Sequence, residues 1–163
     1  GFSLNLAAAA LIATDQLFAA GLVVLIAGFF DMLDGALARY TDQVTQFGAI
    51  LDSTIDRISE AALMLGIIIL YLRGGFIPGI LLASIALPAS FLVSYIRARA
   101  EAMGLECKVG LFTRPERVVV LALGLLLSPS DYTFLVAALG VIVLLSSVTI
   151  GQRLLCVRRL IKN

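Results

Sequence analysis

Long apolar runs separated by short polar breaks dominate this chain, and the breaks divide it into six segments. The longer runs approach the roughly 20 residues that a helix needs to cross the hydrocarbon core of a bilayer. The pattern predicts an all-α, polytopic membrane protein with six transmembrane helices, forming a single domain over residues 1–163. The predicted helical segments are 1–13, 17–39, 48–72, 76–96, 115–127 and 132–155.

The first run, 1–13, begins at full hydrophobicity and is too short to span a bilayer. It lacks the positive n-region of a signal peptide. We expect it to be the end of a crossing whose start lies before residue 1. Polar segments 40–47 and 97–114 are predicted as loops, and 156–163 as a basic tail.

Basic residues are distributed unevenly between the two sides that the six segments define. One side carries a single basic residue, Arg73. The other side carries Arg39, Arg97, Arg99, Lys108, Arg114, Arg117, Arg153, Arg158, Arg159 and Lys162. The positive-inside rule places this second side, and with it both termini, in the cytoplasm. The chain is therefore predicted to be a multi-pass protein of the cell membrane.

The composition agrees with a membrane protein: 61% of the residues are hydrophobic and 14% are charged, against about 25% charged in soluble domains. Soluble globular, disordered and disulfide-scaffold classes are thereby excluded, and a net charge of +1 gives no indication of nucleic-acid binding. The chain has no His, which excludes His–metal sites and Ser-His-Asp triads. Cys107 and Cys156 are too few for a zinc cluster and are predicted to be packing residues.

Four carboxylates stand out at the predicted cytoplasmic end of the second and third segments. Asp31 and Asp34 are three residues apart, and Asp52 and Asp56 are four apart, so each pair shares one helix face. The short break between the segments makes their helices antiparallel neighbours. We therefore expect all four carboxylates to converge in one small volume.

Such a cluster requires positive charge or protons. An Asp inside the membrane costs about 2.5–3.5 kcal/mol on insertion scales, and four together repel one another. Oxygen ligands favour hard ions such as Mg²⁺, Mn²⁺ or Ca²⁺, and two bridged divalent ions would suit phosphoryl transfer. From the residues alone, a cation or proton pathway of a transporter and ordinary solvated charges at helix ends remain alternatives.

The spacing around these aspartates reads D-x2-D-G-x2-A-R-x8-G-x3-D-x3-D over residues 31–56. This pattern resembles the signature of the CDP-alcohol phosphotransferase family, and every fixed position matches. The six-helix topology of that family, with cytoplasmic termini, extends the resemblance to essentially the whole chain. The Pro-Asn-x-x-Thr-like segment that members carry before the first helix is absent here, as expected if the first helix is truncated.

The resemblance implies a CDP-linked donor bound at the cytoplasmic mouth, with its pyrophosphate held by two Mg²⁺ ions, for which Mn²⁺ could substitute. Asp31, Asp34 and Asp52 resemble the metal ligands. Asp56 resembles the general base that takes the proton of the acceptor hydroxyl, and by the same resemblance it is also a metal ligand. The hydroxyl attacks the β-phosphorus and CMP leaves. The donor-binding positions correspond to Asp31, Gly35, Ala38, Arg39 and Thr45, and members of the family are commonly homodimers.

A second cluster of polar residues indicates the acceptor. Arg is well suited to bidentate phosphate binding, which an uncharged alcohol would not require. The stretch 94–120 resembles that of phosphatidylinositol-phosphate synthases and their archaeal archaetidyl counterparts. By that resemblance the phosphate of inositol 1-phosphate would be held by Ser94, Arg97, Arg117 and Arg153. The basic residues of the tail are expected to anchor membrane lipids.

The sequence therefore predicts an enzyme that transfers a phosphatidyl-type group from CDP-diacylglycerol or CDP-archaeol to inositol 1-phosphate. Two related reactions remain alternatives. One uses glycerol 3-phosphate as the acceptor, although the Asp52-Ser53 pair argues weakly against that branch. The other uses CDP-inositol as the donor. A cation-coupled transporter is the non-enzymatic alternative.

Overall fold

The computed structural model of the chain describes residues 1–40, 45–107, 109–129 and 131–162, leaving aside the side chains at 35, 36, 38–40 and 162. These residues form six α-helices and no strand, which confirms the all-α prediction. The helices are α1 Phe2–Ala13, α2 Leu17–Tyr40, α3 Gln46–Arg73, α4 Ile77–Ala102, α5 Arg114–Leu126 and α6 Thr133–Lys162.

Two helices continue past their predicted ends. α4 includes residues 97–102, predicted as part of a loop, and α6 includes most of the predicted basic tail. Arg, Ala and Glu are strong helix formers, and Arg97 Nε lies 2.8 Å from Glu101 Oε1 one turn later. The loss of hydrophobicity at these positions therefore marks the end of the apolar part of each helix rather than the end of the helix.

Within the described residues, three helical stretches are both long and apolar enough to cross a bilayer: Leu17–Asp34, Ile77–Ala102 and Thr133–Ile161. The chain is accordingly a membrane protein. Helix α1 has 12 residues and α5 has 13, both shorter than a full crossing. Helix α3 is long enough, but its first half carries several charges. Six crossings remain a prediction.

The six helices form a closed ring, because each packs closely against two others. The neighbouring pairs run α1–α2, α2–α5, α5–α6, α6–α4, α4–α3 and α3–α1. Buried apolar side chains fill the contacts, among them Val24, Ile67, Leu125 and Leu139. In this order α3 and α5 occupy opposite positions, with two helices between them on either side.

Small residues bring neighbouring helices close together, as is common in membranes. A Cβ on Gly66 of α3 would lie 2.6 Å from the carbonyl oxygen of Ala9 on α1. A Cβ on Gly124 of α5 would lie 2.5 Å from the Cβ of Ala138 on α6. Both distances are shorter than van der Waals contact, so only glycine permits these two helix pairs to approach as they do.

A disulfide bond joins Cys107, which follows α4, to Cys156 of α6. The prediction that both cysteines are simple packing residues is therefore wrong. Spacing in the sequence gave no indication of the pairing, because the packing of α4 against α6 brings together residues separated by 49 positions.

We expect reduction of this disulfide to lower the melting temperature of the purified protein in detergent by several degrees. Closing a loop of this length stabilises a folded chain by up to about 4 kcal/mol in the chain-entropy model. Thermal melting with and without reductant measures the effect, and thiol titration of the unfolded, unreduced protein should detect no free thiol. A C107S/C156S double variant should melt at one temperature in both conditions. Equal melting temperatures for wild type with and without reductant would contradict the expectation.

Candidate active site

A cavity of about 410 Å³ lies between α2, α3 and α5, with further walls from α1 and α6. Most of its lining is apolar, but ionic side chains from three helices also line it. These are Asp31 on α2, Asp52 and Glu60 on α3, and Arg114 and Arg117 on α5. A mainly apolar cavity with a few convergent polar groups is the usual form of a small-molecule site.

Arg114 links two of the predicted carboxylates across the cavity. Its Nη2 lies 3.2 Å from Asp31 Oδ2, and its Nη1 lies 2.8 Å from Asp56 Oδ1. All three side chains are partly buried. Carboxylates from α2 and α3 therefore meet at a single guanidinium. The prediction that these two helices are packed neighbours is wrong, because α1 lies between them in the ring.

The four aspartates are only partly brought together. Asp31 and Asp52 line the cavity, whereas Asp34 and Asp56 are not among the lining residues. Asp34 is exposed, and Asp56 reaches the cavity wall through its ion pair with Arg114. In the described ranges no three acidic, Cys or His side chains lie close enough to hold a metal ion as they stand. The donor chemistry nevertheless fits a hard divalent cation, because two carboxylates already converge on one cationic group. Asp31, Asp34, Asp52 and Asp56 remain the predicted metal ligands.

The predicted donor-binding residues lie where α2 ends and α3 begins. Gly35, Ala38 and Arg39 belong to α2, but their side chains lie outside the described part of the chain. Thr45 is the N-cap of α3, and its Oγ1 accepts a hydrogen bond from the backbone N–H of Gly48 at 3.0 Å. Thr45 therefore has a structural role, and its contact with a donor stays a prediction.

Arg117 forms a buried bidentate ion pair with Glu60. Its Nε lies 2.9 Å from Glu60 Oε1 and its Nη2 lies 3.2 Å from Oε2. The two side chains are 3% and 13% exposed. The third nitrogen, Nη1, is buried and has no hydrogen-bond partner among the described residues. Arg117 therefore lines the cavity and keeps one buried donor nitrogen that has no partner among the described residues.

The other predicted acceptor contacts do not line this cavity, although Arg153 is close enough to Arg97 and Arg117 to interact with both charges, and their role stays a prediction. Arg97 is exposed and pairs with Glu101. Arg153 is buried and donates to the carbonyl oxygens of Val93 and Val109. Ser94 is partly buried on α4. Of these four residues, all within the described ranges, Arg117 is the one that lines the cavity.

The start of α5 is fixed by a local motif that also orients its arginines. Glu116 accepts hydrogen bonds from the backbone N–H of Thr113 at 2.7 Å and from its hydroxyl at 2.6 Å. Pro115 occupies the first turn, as predicted, because the N–H it lacks would be unsatisfied there. Arg114 and Arg117 thus project from a well-defined first turn of the helix.

Two residues at this site were not assigned roles from the sequence. Glu60 follows Asp56 by four residues, and Arg114 precedes Arg117 by three, so each lies on the same helix face as a predicted site residue. That spacing was the available signal. Their ion pairs join α5 to α2 and α3 over 57 to 83 residues of sequence, which local pattern does not reveal.

Known proteins of one family match this chain over nearly its whole length. The family model for CDP-alcohol phosphatidyltransferases matches residues 2–150. The archaetidylinositol phosphate synthase of Methanothermobacter thermautotrophicus is 39% identical, and the match covers 99% of this chain and 81% of that protein. The phosphatidylinositol phosphate synthase of Mycobacteroides abscessus is 38% identical, and the match covers 93% of this chain and 70% of that protein.

Solved structures agree in fold. The phosphatidylinositol phosphate synthase of Mycobacterium tuberculosis with CDP-DAG bound superimposes with a TM-score of 0.85 at 36% identity, over 96% of this chain and 82% of that one. A structure of the same enzyme in complex with manganese and citrate also gives a TM-score of 0.85, over 96% of this chain and 78% of that one. These findings confirm the resemblance that the aspartate spacing indicated: the chain belongs to the CDP-alcohol phosphatidyltransferase family.

Proposed function

We propose that the chain transfers a phosphatidyl-type group from a CDP-lipid to inositol 1-phosphate and releases CMP. The observation that carries this proposal is the cavity in which carboxylates of α2 and α3 face two arginines of α5. Carboxylates provide ligands for cations, and arginines recognise phosphate. Both are needed when a CDP-linked donor reacts with a phosphorylated acceptor. The names of the relatives and the CDP-DAG bound to the M. tuberculosis enzyme support the same substrates.

The four signature aspartates, Asp31, Asp34, Asp52 and Asp56, would hold two divalent cations, Mg²⁺ or Mn²⁺. The manganese complex of the M. tuberculosis enzyme supports divalent-metal dependence. When bound, such ions neutralise charge on the pyrophosphate and on the leaving CMP. Arg114 contacts two of these aspartates in the structure. When cations bind the aspartates, its guanidinium would leave them and become available to a substrate in the same cavity.

In the proposed reaction, Asp56 accepts the proton of the inositol hydroxyl. The hydroxyl oxygen forms a bond to the β-phosphorus of the donor, and the bond from that phosphorus to the bridging oxygen breaks, so that CMP departs with the electron pair. Gly35, Ala38, Arg39 and Thr45 would contact the donor, and Arg117 the acceptor phosphate. Alignment of the two substrates supplies much of the rate enhancement.

The proposal extends to the arrangement in the membrane. Residues 1–163 would form one domain with six crossings, in which α1, α3 and α5 also span. The basic residues would place both termini and the active site on the cytoplasmic side of the cell membrane. The active form would be a homodimer, as is common in the family.

Release of CMP from a CDP-lipid by the purified protein in detergent with Mg²⁺ tests the function. We expect release with inositol 1-phosphate, and none with glycerol 3-phosphate, free inositol or serine. Chelation of the metal should abolish release, and Mn²⁺ should restore it. Release with glycerol 3-phosphate alone would overturn the assignment of the acceptor. Release with none of the four would contradict the CDP-lipid reaction and favour a CDP-inositol donor or transport.

A further inference from the structure

Helix α3 presents three acidic side chains on successive turns. Asp52, Asp56 and Glu60 are spaced i, i+4 and i+8, so they lie on one face of the helix. At 1.5 Å rise per residue, Glu60 lies about 6 Å further along the axis than Asp56. Two of the three have assigned roles in the proposed reaction, and Glu60 has none.

Helix α5 faces this row of acids from across the ring. Arg114 reaches Asp56 at 2.8 Å, and Arg117, one turn later, reaches Glu60 at 2.9 Å. In the described part of the chain α3 and α5 are not packed neighbours. Both residues of the Arg117–Glu60 pair line the cavity, so this pair crosses it. The Arg114–Asp56 pair lies about one helical turn nearer the start of both helices.

The inner pair holds its arginine in one orientation. Glu60 binds the Nε and Nη2 edge of the Arg117 guanidinium, which leaves Nη1 on the side that faces away from Glu60. A buried N–H without a partner costs free energy unless another group accepts its hydrogen bond. Within the described residues no such group is present, so an anionic ligand in the cavity would supply the missing acceptor.

We propose that Glu60 is a positioning residue: it fixes the Arg117 guanidinium so that Nη1 binds the acceptor phosphate about one helical turn from Asp56. The identity of the acceptor rests on the proposed function, whereas the role of Glu60 concerns any phosphate bound at Arg117. Because Asp56 and Glu60 share one rigid helix, the distance from the base to the acceptor phosphate is then set by the helix itself. A purely structural ion pair would affect stability without selecting one substrate.

The test compares E60Q with wild type in steady-state kinetics. We expect E60Q to raise the KM for inositol 1-phosphate about tenfold, while kcat and the KM for the CDP-lipid change less than twofold. D131N removes one carboxylate from the loop before α6, at the opposite end of the helices, and should leave all three parameters unchanged. An equal rise in both KM values, or an unchanged acceptor KM, would overturn the proposal.

A binding measurement separates this inference from the proposed function. Inorganic phosphate should raise the melting temperature of wild type, and E60Q should need about ten times more phosphate for the same shift. E60D, which keeps the charge on a shorter arm, should fall between them and serves if E60Q does not fold. Equal phosphate responses, or no response in wild type, would refute the positioning role. If E60Q responds more weakly to phosphate but the protein uses an acceptor other than inositol 1-phosphate, then only the identity of the acceptor is refuted.

Discussion

Replacing Asp56 with asparagine is expected to lower turnover by about 10³-fold or more, while binding of the CDP-lipid survives. General-base catalysis contributes about 10²–10⁴-fold, and an amide cannot accept the hydroxyl proton. The Oδ1 of Asp56 lies 2.8 Å from Arg114, which lines the cavity, so a substrate that displaces this arginine would meet the Asp56 carboxylate. CMP release measures turnover, and displacement of a labelled CDP-lipid measures binding.

The control for this substitution must remove the same charge without touching the cavity. D131N does so, and full activity in D131N alongside loss in D56N would confirm that the effect is local. Retained activity in D56N would exclude Asp56 as the base. Loss of donor binding together with turnover would instead assign Asp56 a role in holding the donor or its metal ions.

Replacing Arg117 with alanine should raise the KM for the phosphorylated acceptor about 10²-fold and leave the donor KM nearly unchanged. A charge-assisted hydrogen bond contributes about 1.5–3 kcal/mol, which corresponds to roughly 10- to 150-fold in affinity. The structure directs this effect to one substrate, because Arg117 lines the cavity with its Nη1 unpaired. Initial rates with one substrate varied at a time measure both constants.

Alanine at this position also leaves Glu60 as an unpaired charge, and breaking a buried ion pair costs about 3–5 kcal/mol. R117K keeps the charge and R117A/E60A removes both partners, so these variants separate folding from substrate binding. We expect R117K to be intermediate in acceptor KM and R117A/E60A to match R117A. Parallel increases in the acceptor and donor constants across the series would show that Arg117 is not an acceptor contact.

Hydrophobic pattern alone was sufficient for the number of helices and most of their boundaries. Turns after α1 and α3 fall where short polar breaks occur, and Pro115 begins α5. The wrong helix boundaries occur where polar residues continue a helix, as at residues 97–102. Loss of hydrophobicity there marks the end of the apolar surface, whereas the backbone hydrogen bonds of the helix continue. The disulfide was not predicted, because it depends on how α4 packs against α6.

The candidate site was predictable to the extent that its residues are local in sequence. Periodicity placed Asp31 on one face of α2 and Asp56 on one face of α3, and the structure joins the two carboxylates through Arg114 on α5. Among the arginines, charge type alone could not separate Arg117, which faces the cavity, from Arg153, which binds backbone carbonyls. That distinction arises from tertiary packing, since both are buried cations near the end of an apolar helix.

The position of Arg114 bears on how the protein assembles in a bilayer. Carboxylates that enter the membrane without counter-charge are expensive, at about 2.5–3.5 kcal/mol each on insertion scales. Arg114 supplies that counter-charge to Asp31 and Asp56 from within the chain. The helices can therefore close into their ring with part of the acidic charge already balanced, so that metal loading would replace an internal counter-charge rather than supply the first one.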